Sequence, residues 1–270
     1  MMHRKFRGEC LYLAEQDLHF PELTLGETLT FTARARSNTL GKKPTSVART
    51  TAALFHLHGA FDTKIGDALI RGLSGGEKKR TSIAEAFLSD AQLQCWDGST
   101  RGLDSSTALR FIRLLRRCTD ALLTTVAMSV YQASEDMYRS FDKVMVLYEG
   151  RQIFFGPAET AADYFTRLGF VRPSRATTAD FLTSLTHPAE RIVREGFEHT
   201  APRTPEEFYA AWMRSDEARG LERDIRLYER DNQYRRRPRW PACGQWAKMF
   251  KSIESQIPRY VSLLTSRTGP

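Results

Sequence analysis

The feature that most constrains this chain is the run Leu73-Ser74-Gly75-Gly76-Glu77-Lys78-Lys79-Arg80. Ser74 is a good helix cap, Gly75 and Gly76 are permissive, and Ile83, Ala84, Ala86 and Phe87 give an apolar stripe behind them. This predicts a helix over 74–89 whose first turn carries two glycines. Such a terminus offers unpaired backbone N–H groups and the positive end of the helix dipole. With no side-chain bulk in the way, a phosphate can approach closely. By itself the run is also compatible with a tight turn before an ordinary helix.

Its neighbours narrow the reading. Ala91-Gln92-Leu93-Gln94-Cys95-Trp96 reads as a short buried strand, and Asp97 leaves its end, 23 residues after Ser74. An Asp at the C-terminal end of a parallel strand is where Mg²⁺ or its water shell is held in P-loop ATPases. Ser99-Thr100-Arg101-Gly102-Leu103-Asp104 follows, and Ser105 opens a further helix. Taken singly, Asp97 and Asp104 read as turn or capping carboxylates. The order and spacing of the three motifs favour a nucleotide site.

The rest of the chain fits an α/β protein. A short apolar piece opens residues 11–36, and Thr24 with Glu27 predicts a capping box for a helix from Leu25. Residues 37–50 read as a polar loop and 47–57 as a helix. Strands are expected at 122–130 and 143–148, with a Glu149-Gly150 turn returning residues 153–155 antiparallel. Strands alternating with helices from about 61 to 170 predict a sheet of parallel type. Residues 160–236 read as helical, and the chain from about 231 as a basic, proline-containing linker or tail.

Composition sets the outer bounds. Hydrophobic residues make up 41% and charged residues 27% of 270, which excludes a disordered or collagen-like chain. The four cysteines, Cys10, Cys95, Cys118 and Cys243, lack CxxC or metal-type spacing, which argues for a reducing compartment and against a zinc ribbon. The six histidines have no paired-ligand arrangement. No run approaches 18 apolar residues, so no membrane-spanning helix is expected, and the first residues lack the apolar core of a signal peptide. The net charge of +8, concentrated in Arg235-Arg236-Arg237-Pro238-Arg239, favours an acidic partner.

At this point the chain resembles a known family. Leu73–Glu77 is similar to the signature motif of ATP-binding cassette (ABC) proteins, Leu93–Asp97 to the Walker B strand, and Gly102-Leu103-Asp104 to the D-loop. The wording Tyr12–Thr24, Cys95–Asp104 and Ser129–Asp136 resembles the first nucleotide-binding domain of fungal pleiotropic-drug-resistance transporters of the G subfamily, and so do Phe141–Val144 and Pro202–Phe208. The likeness covers about residues 10–230.

The resemblance implies a partial ABC-type P-loop ATPase domain: a helical signature subdomain plus a parallel-sheet core over 1–158. A helical C-terminal extension would cover 159–230, and a basic linker 231–270. It implies ATP and Mg²⁺ as cofactors. Two nucleotide-binding domains of one transporter would close head to tail on ATP. Ser74, Gly75 and Gly76, with Glu77 in the motif, would face the γ-phosphate held by the second domain. Asp97 would sit near Mg²⁺, indirectly, and Asp104 would cross the interface.

Three departures matter. The pattern GxxxxGK[ST] does not occur in residues 1–270; Gly41-Lys42 is a lure, with Arg36 and Pro44 at the wrong places. The chain opens near the Q-loop, so a truncated chain or an incomplete gene model is expected. Gly98 stands where a hydrolytic site has its glutamate base, and Tyr131 where the switch histidine is expected. Glu15 occupies the Q-loop position. The features serving the chain's own ATP are altered, and those facing a partner's ATP are orthodox.

The expected function is an ATP-binding, energy-coupling module of a membrane efflux transporter for drugs, other xenobiotics or lipids. It would lie at the cytoplasmic face of a membrane, the plasma membrane by family, with the second nucleotide-binding domain and the transmembrane domains as partners. Arg235, Arg236, Arg237 and Arg239 would meet anionic headgroups there. A truly truncated chain would be soluble in the cytoplasm. Two alternatives remain at this stage: a soluble ABC-type ATPase acting on nucleic acid, and a non-functional remnant. No aromatic ladder or RNA-binding fold accompanies the basic run, so nucleic acid is not expected.

Overall fold

A computed structural model describes residues 9–36, 43–89 and 91–232. The chain divides into two compact units with a boundary between Tyr131 and Gln132. The basic run at 235–239 and Cys243 lie outside the described residues.

The first unit is built on three parallel strands, β1 (Cys10–Leu13), β2 (Leu93–Trp96) and β3 (Thr125–Met128), in the order β1-β2-β3. Tyr12 pairs with Cys95, and Trp96 with Met128. Parallel neighbours need crossover connections. Helices α1 (Leu25–Arg36), α2 (Pro44–Leu54) and α3 (Gly75–Leu88) lie between β1 and β2, and α4 (Ser105–Leu122) lies between β2 and β3. Leu25, Leu29, Val47, Phe55, Ile83 and Phe87 are buried, with Phe55 and Phe87 meeting edge to face at 5.7 Å between ring centroids. Trp96 leaves the sheet toward α4 and packs on Phe111 at 5.4 Å.

The α/β class and the parallel sheet match the sequence reading, and so does the start of α1. There Thr24 N donates to Glu27 Oε2 (2.8 Å) and Glu27 N donates back to Thr24 Oγ1 (3.1 Å). Two boundaries differ. Helix α2 begins at Pro44, inside the expected loop, and ends at Leu54. Proline is suited to a first helical position, because the N–H it lacks would have no intrahelical partner and its φ is already helical. Strand β3 is shorter than expected. Leu122 still belongs to α4, and Leu123 closes that helix in the left-handed conformation, φ 55°.

The second unit holds an antiparallel hairpin, β4 (Lys143–Tyr148) and β5 (Arg151–Pro157). Glu149 and Gly150 have φ values of 46° and 78°. Positive φ at both central residues is what a two-residue turn of matching twist requires. Around the hairpin stand α5 (Glu135–Tyr138), α6 (Ala158–Arg167), α7 (Thr178–Ser184), α8 (Pro205–Arg214) and α9 (Asp216–Asn232). Phe154, Phe165, Phe170, Phe208 and Trp212 form its core. The stretch 160–236 is not continuously helical: an irregular connection runs from Leu185 to Thr204, held by the Phe170–Val193 bridge.

Candidate functional site

The C-terminal ends of the three parallel strands bring together residues far apart in sequence. Asp97 follows β2, and its N–H donates to the Leu13 carbonyl of β1 at 2.9 Å. On the other side, Ser129 N donates to the Trp96 carbonyl at 2.9 Å. The side chains converge in the same way. Tyr12 OH donates to Asp97 Oδ2 (3.0 Å), and Ser129 Oγ donates to Asp97 Oδ1 (2.8 Å). Ser129 Oγ in turn accepts from Gly98 N at 2.7 Å. Each carboxylate oxygen is therefore aimed by a hydroxyl from a flanking strand. The bond from Ser129 and then that from Tyr12 hold the Asp97 carboxyl below its usual range, and the Tyr12 phenol is raised by the same contact. Asp97 is thus an exposed, ionised, pre-aimed carboxylate. Its charge and free lone pairs suit a hard divalent cation or that cation's water shell.

Gly98 has φ +54°, a conformation that side chains rarely adopt. A Cβ built there would lie 3.1 Å from Glu15 Cγ. Glu15 is itself drawn over by an ion pair with Arg101. So a glutamate at 98 would meet both strain and a neighbour. Tyr131 is exposed.

The glycine-bearing helix start is arranged differently. Ser74 Oγ and Ser74 N both donate to Glu77 Oε2, at 2.7 and 2.9 Å, and Glu77 N returns a 3.4 Å bond to Ser74 Oγ. This capping box fixes the first turn of α3 and lowers the Glu77 carboxyl. Gly75 has nothing within 4 Å of its Cβ position, and Gly76 has only Arg80 Nη1 at 3.6 Å. Neither has a positive φ. Among the described residues, nothing requires glycine at either place.

Helix α3 is tied to the segment after β1 by a buried polar ladder. Lys79 is 4% exposed, donates to the Glu15 carbonyl at 2.9 Å and lies 3.6 Å from Asp17 Oδ1. Ser82 Oγ donates to Asp17 Oδ1 at 2.6 Å and lies 2.9 Å from His19 Nε2. His19 Nδ1 sits 3.2 Å from Glu85 Oε2, and Glu85 Oε1 accepts from Thr32 of α1. Burial alone would lower the His19 pKa, but the contact with Glu85 outweighs it and the net shift is upward.

Asp104 is the N-cap of α4. Its Oδ1 accepts from Ser106 N (3.1 Å), Thr107 N (3.0 Å) and Ser106 Oγ (2.7 Å), and the side chains of Thr107 and then Ser106, with these backbone bonds, hold the acid far below its ordinary value. The structure thus joins Glu15, Asp97 and Gly98 at the strand ends, and Ser74, Gly75, Gly76 and Glu77 at one helix start. Sequence reasoning missed Tyr12, Ser129, Lys79 and Arg101. The alternation of side chains along a strand carried a signal for one of them, since Tyr12 falls on the face of Asp97 once the register is known.

Residues 1–101 match the family model described as ABC transporter. By class, the chain carries an ABC transporter nucleotide-binding segment. It is 51% identical over 237 residues to the ABC multidrug transporter atrH of Aspergillus oryzae, an alignment covering 85% of this chain and 16% of that protein. It is 50% identical over 232 residues to the ABC transporter CDR4 of Candida albicans (83% and 16%). With the ABC-type transporter eriD of Hericium erinaceus the identity is 46% over 265 residues (95% and 18%). The chain is homologous to these fungal transporters and fits their pleiotropic-drug-resistance type. It spans about one sixth of their length (16% for the first of them). Among the described residues, no helix is long and apolar enough to cross a membrane.

Proposed function

We propose that this chain lends an intact signature to a composite ATP site shared with a second nucleotide-binding domain, while its own site binds nucleotide without hydrolysing it. The observation that carries the reading is the contrast between two glycine positions. At Gly75 the helix start is exposed, capped and open, with no described residue near its Cβ position, which supports a phosphate seat offered to a partner. An incoming phosphate would meet free N–H groups and the positive helix end there. At Gly98 the backbone is left-handed and faces the Glu15–Arg101 pair, where a water-activating base would stand.

Asp97 is the residue that would hold Mg²⁺, through water, and the ion would neutralise phosphate charge. Tyr12 and Ser129 keep that carboxylate ionised and aimed. Asp104, besides capping α4, would reach the facing domain. Coupled to membrane domains at the cytoplasmic face, such a module would transmit nucleotide binding to efflux. The exposed apolar side chains Leu18, Phe20 and Leu69 support a protein partner on this unit.

The direct test is turnover by the purified 270-residue chain. With Gly98 and Tyr131 in place of base and switch, and no GxxxxGK[ST] pattern in residues 1–270, the expected rate is background. Hydrolysis above background that disappears in Asp97→Asn would refute the reading.

A further inference from the structure

Strands β1 and β2 each carry one cysteine, and their register puts the two on the same face. Cys10 pairs with Leu93 and Tyr12 with Cys95. Side chains two apart on a strand share a face, and partners across parallel strands do too. Cys10 and Cys95 are therefore diagonal neighbours on the face that carries Tyr12. Both are free thiols; Cys10 and Tyr12 are exposed, and Cys95 is half-buried. The Cys95 thiol is raised first by burial and then by its neighbour Cys10.

The spacing decides what this pair can do. One strand separation and two residue rises put the two Cα atoms ~8 Å apart. A disulfide needs less than about 7 Å. A direct sulfur–sulfur bond therefore requires the strands to move, whereas one atom between the sulfurs bridges the gap. Among the described residues no group of three His, Cys, Asp or Glu side chains could hold a metal ion, so a four-coordinate zinc-type site is not formed there.

We propose that Cys10 and Cys95 form a two-thiolate site for a thiophilic centre that takes two sulfur ligands, such as a monosubstituted trivalent arsenical or a soft monovalent cation. Soft thiolate ligands select such centres. With an arsenoxide the balance is simple. Each sulfur forms one bond to arsenic, the arsenic–oxygen bond breaks, and the two thiol protons leave with that oxygen as water. No electrons are transferred. The bridge would clip β1 to β2 two residues before Asp97, across the strands that the Tyr12–Asp97 bond already joins.

The test uses phenylarsine oxide with the native 270-residue chain, read by intact-mass spectrometry and thermal unfolding. One phenylarsenic group per chain is expected. It should resist excess 2-mercaptoethanol, leave with dithiothreitol, and raise the unfolding midpoint, since the ligand binds the folded register. Cys10→Ser and Cys95→Ser should each lose the retained adduct. Cys118→Ser and Cys243→Ser should keep it; the Cys118 thiol is buried and pushed up to about 12. Cys10→Val, suited to a strand, repeats the test should serine disturb folding. Silver(I) in place of the arsenical separates the two ligand types by whether it protects both thiols from alkylation. Absence of an adduct on the folded chain, its survival in Cys10→Ser or Cys95→Ser, or its loss in Cys243→Ser would each overturn the proposal.

Discussion

At the scale of single residues, Gly98 carries most of the meaning. Its sequence position says only that a base is missing. The structure adds that the backbone there is left-handed, with Glu15 at 3.1 Å from any Cβ. Restoring the glutamate should therefore fail. A non-glycine residue in this conformation costs roughly 1–2 kcal/mol, before the crowding against Glu15 is counted. We expect Gly98→Glu to lower the unfolding midpoint of the chain by several degrees and to leave ATP turnover at background. A variant that hydrolyses ATP and melts like the parent would contradict this. The left-handed turn and the Glu15–Arg101 pair were not legible in the sequence, because the pair joins residues 86 apart. The Thr24–Glu27 box and the Ser74 cap were legible, because each is closed within four residues.

At the scale of elements, α3 is fixed at its first turn and along its middle. Its capping box orients the first turn, and the Lys79–Asp17–Ser82–His19–Glu85 ladder ties its middle to the segment leaving β1. Lysine and arginine are rarely buried unless paired. Lys79 is buried, since its long stem and single ammonium reach a carbonyl and a carboxylate that only the fold provides. The ladder also has a pH sign. His19 is raised above its ordinary 6.5, so the folded state holds its proton more tightly than the unfolded state does. That stabilisation is complete below the ordinary value and is lost as pH rises through the folded-state value. Between about pH 6 and 8 the unfolding midpoint should fall, and His19→Gln should flatten this part of the profile. A profile unchanged by the substitution would remove His19 as its source. The element boundaries that sequence misplaced have local causes of the same kind. Pro44 opens α2 because it spares an N–H, and Leu122 belongs to α4 because the left-handed cap comes one residue later.

For the molecule as a whole, the parallel sheet was legible because alternating strands and helices leave few arrangements, and it is the sheet that gathers Tyr12, Asp97 and Ser129. The length of the connection from Leu185 to Thr204 was not, since its order rests on contacts such as Arg191 on Tyr148 and Phe208 rather than on periodicity. The proposed function is a division of labour: a signature that serves another domain's ATP and a site of its own that does not hydrolyse. The measurement that tests it most directly is ATP turnover by the full-length transporter containing this chain, compared between Gly75→Val and Tyr131→Ala. Gly75 has open space around it, so valine should leave the fold and its midpoint intact while occupying the phosphate seat. Gly75→Val is expected to lower turnover at least tenfold, an effect of about 1.4 kcal/mol or more on the barrier, and Tyr131→Ala to retain most of it. Full turnover in Gly75→Val, or its loss in Tyr131→Ala, would rule out this division of labour.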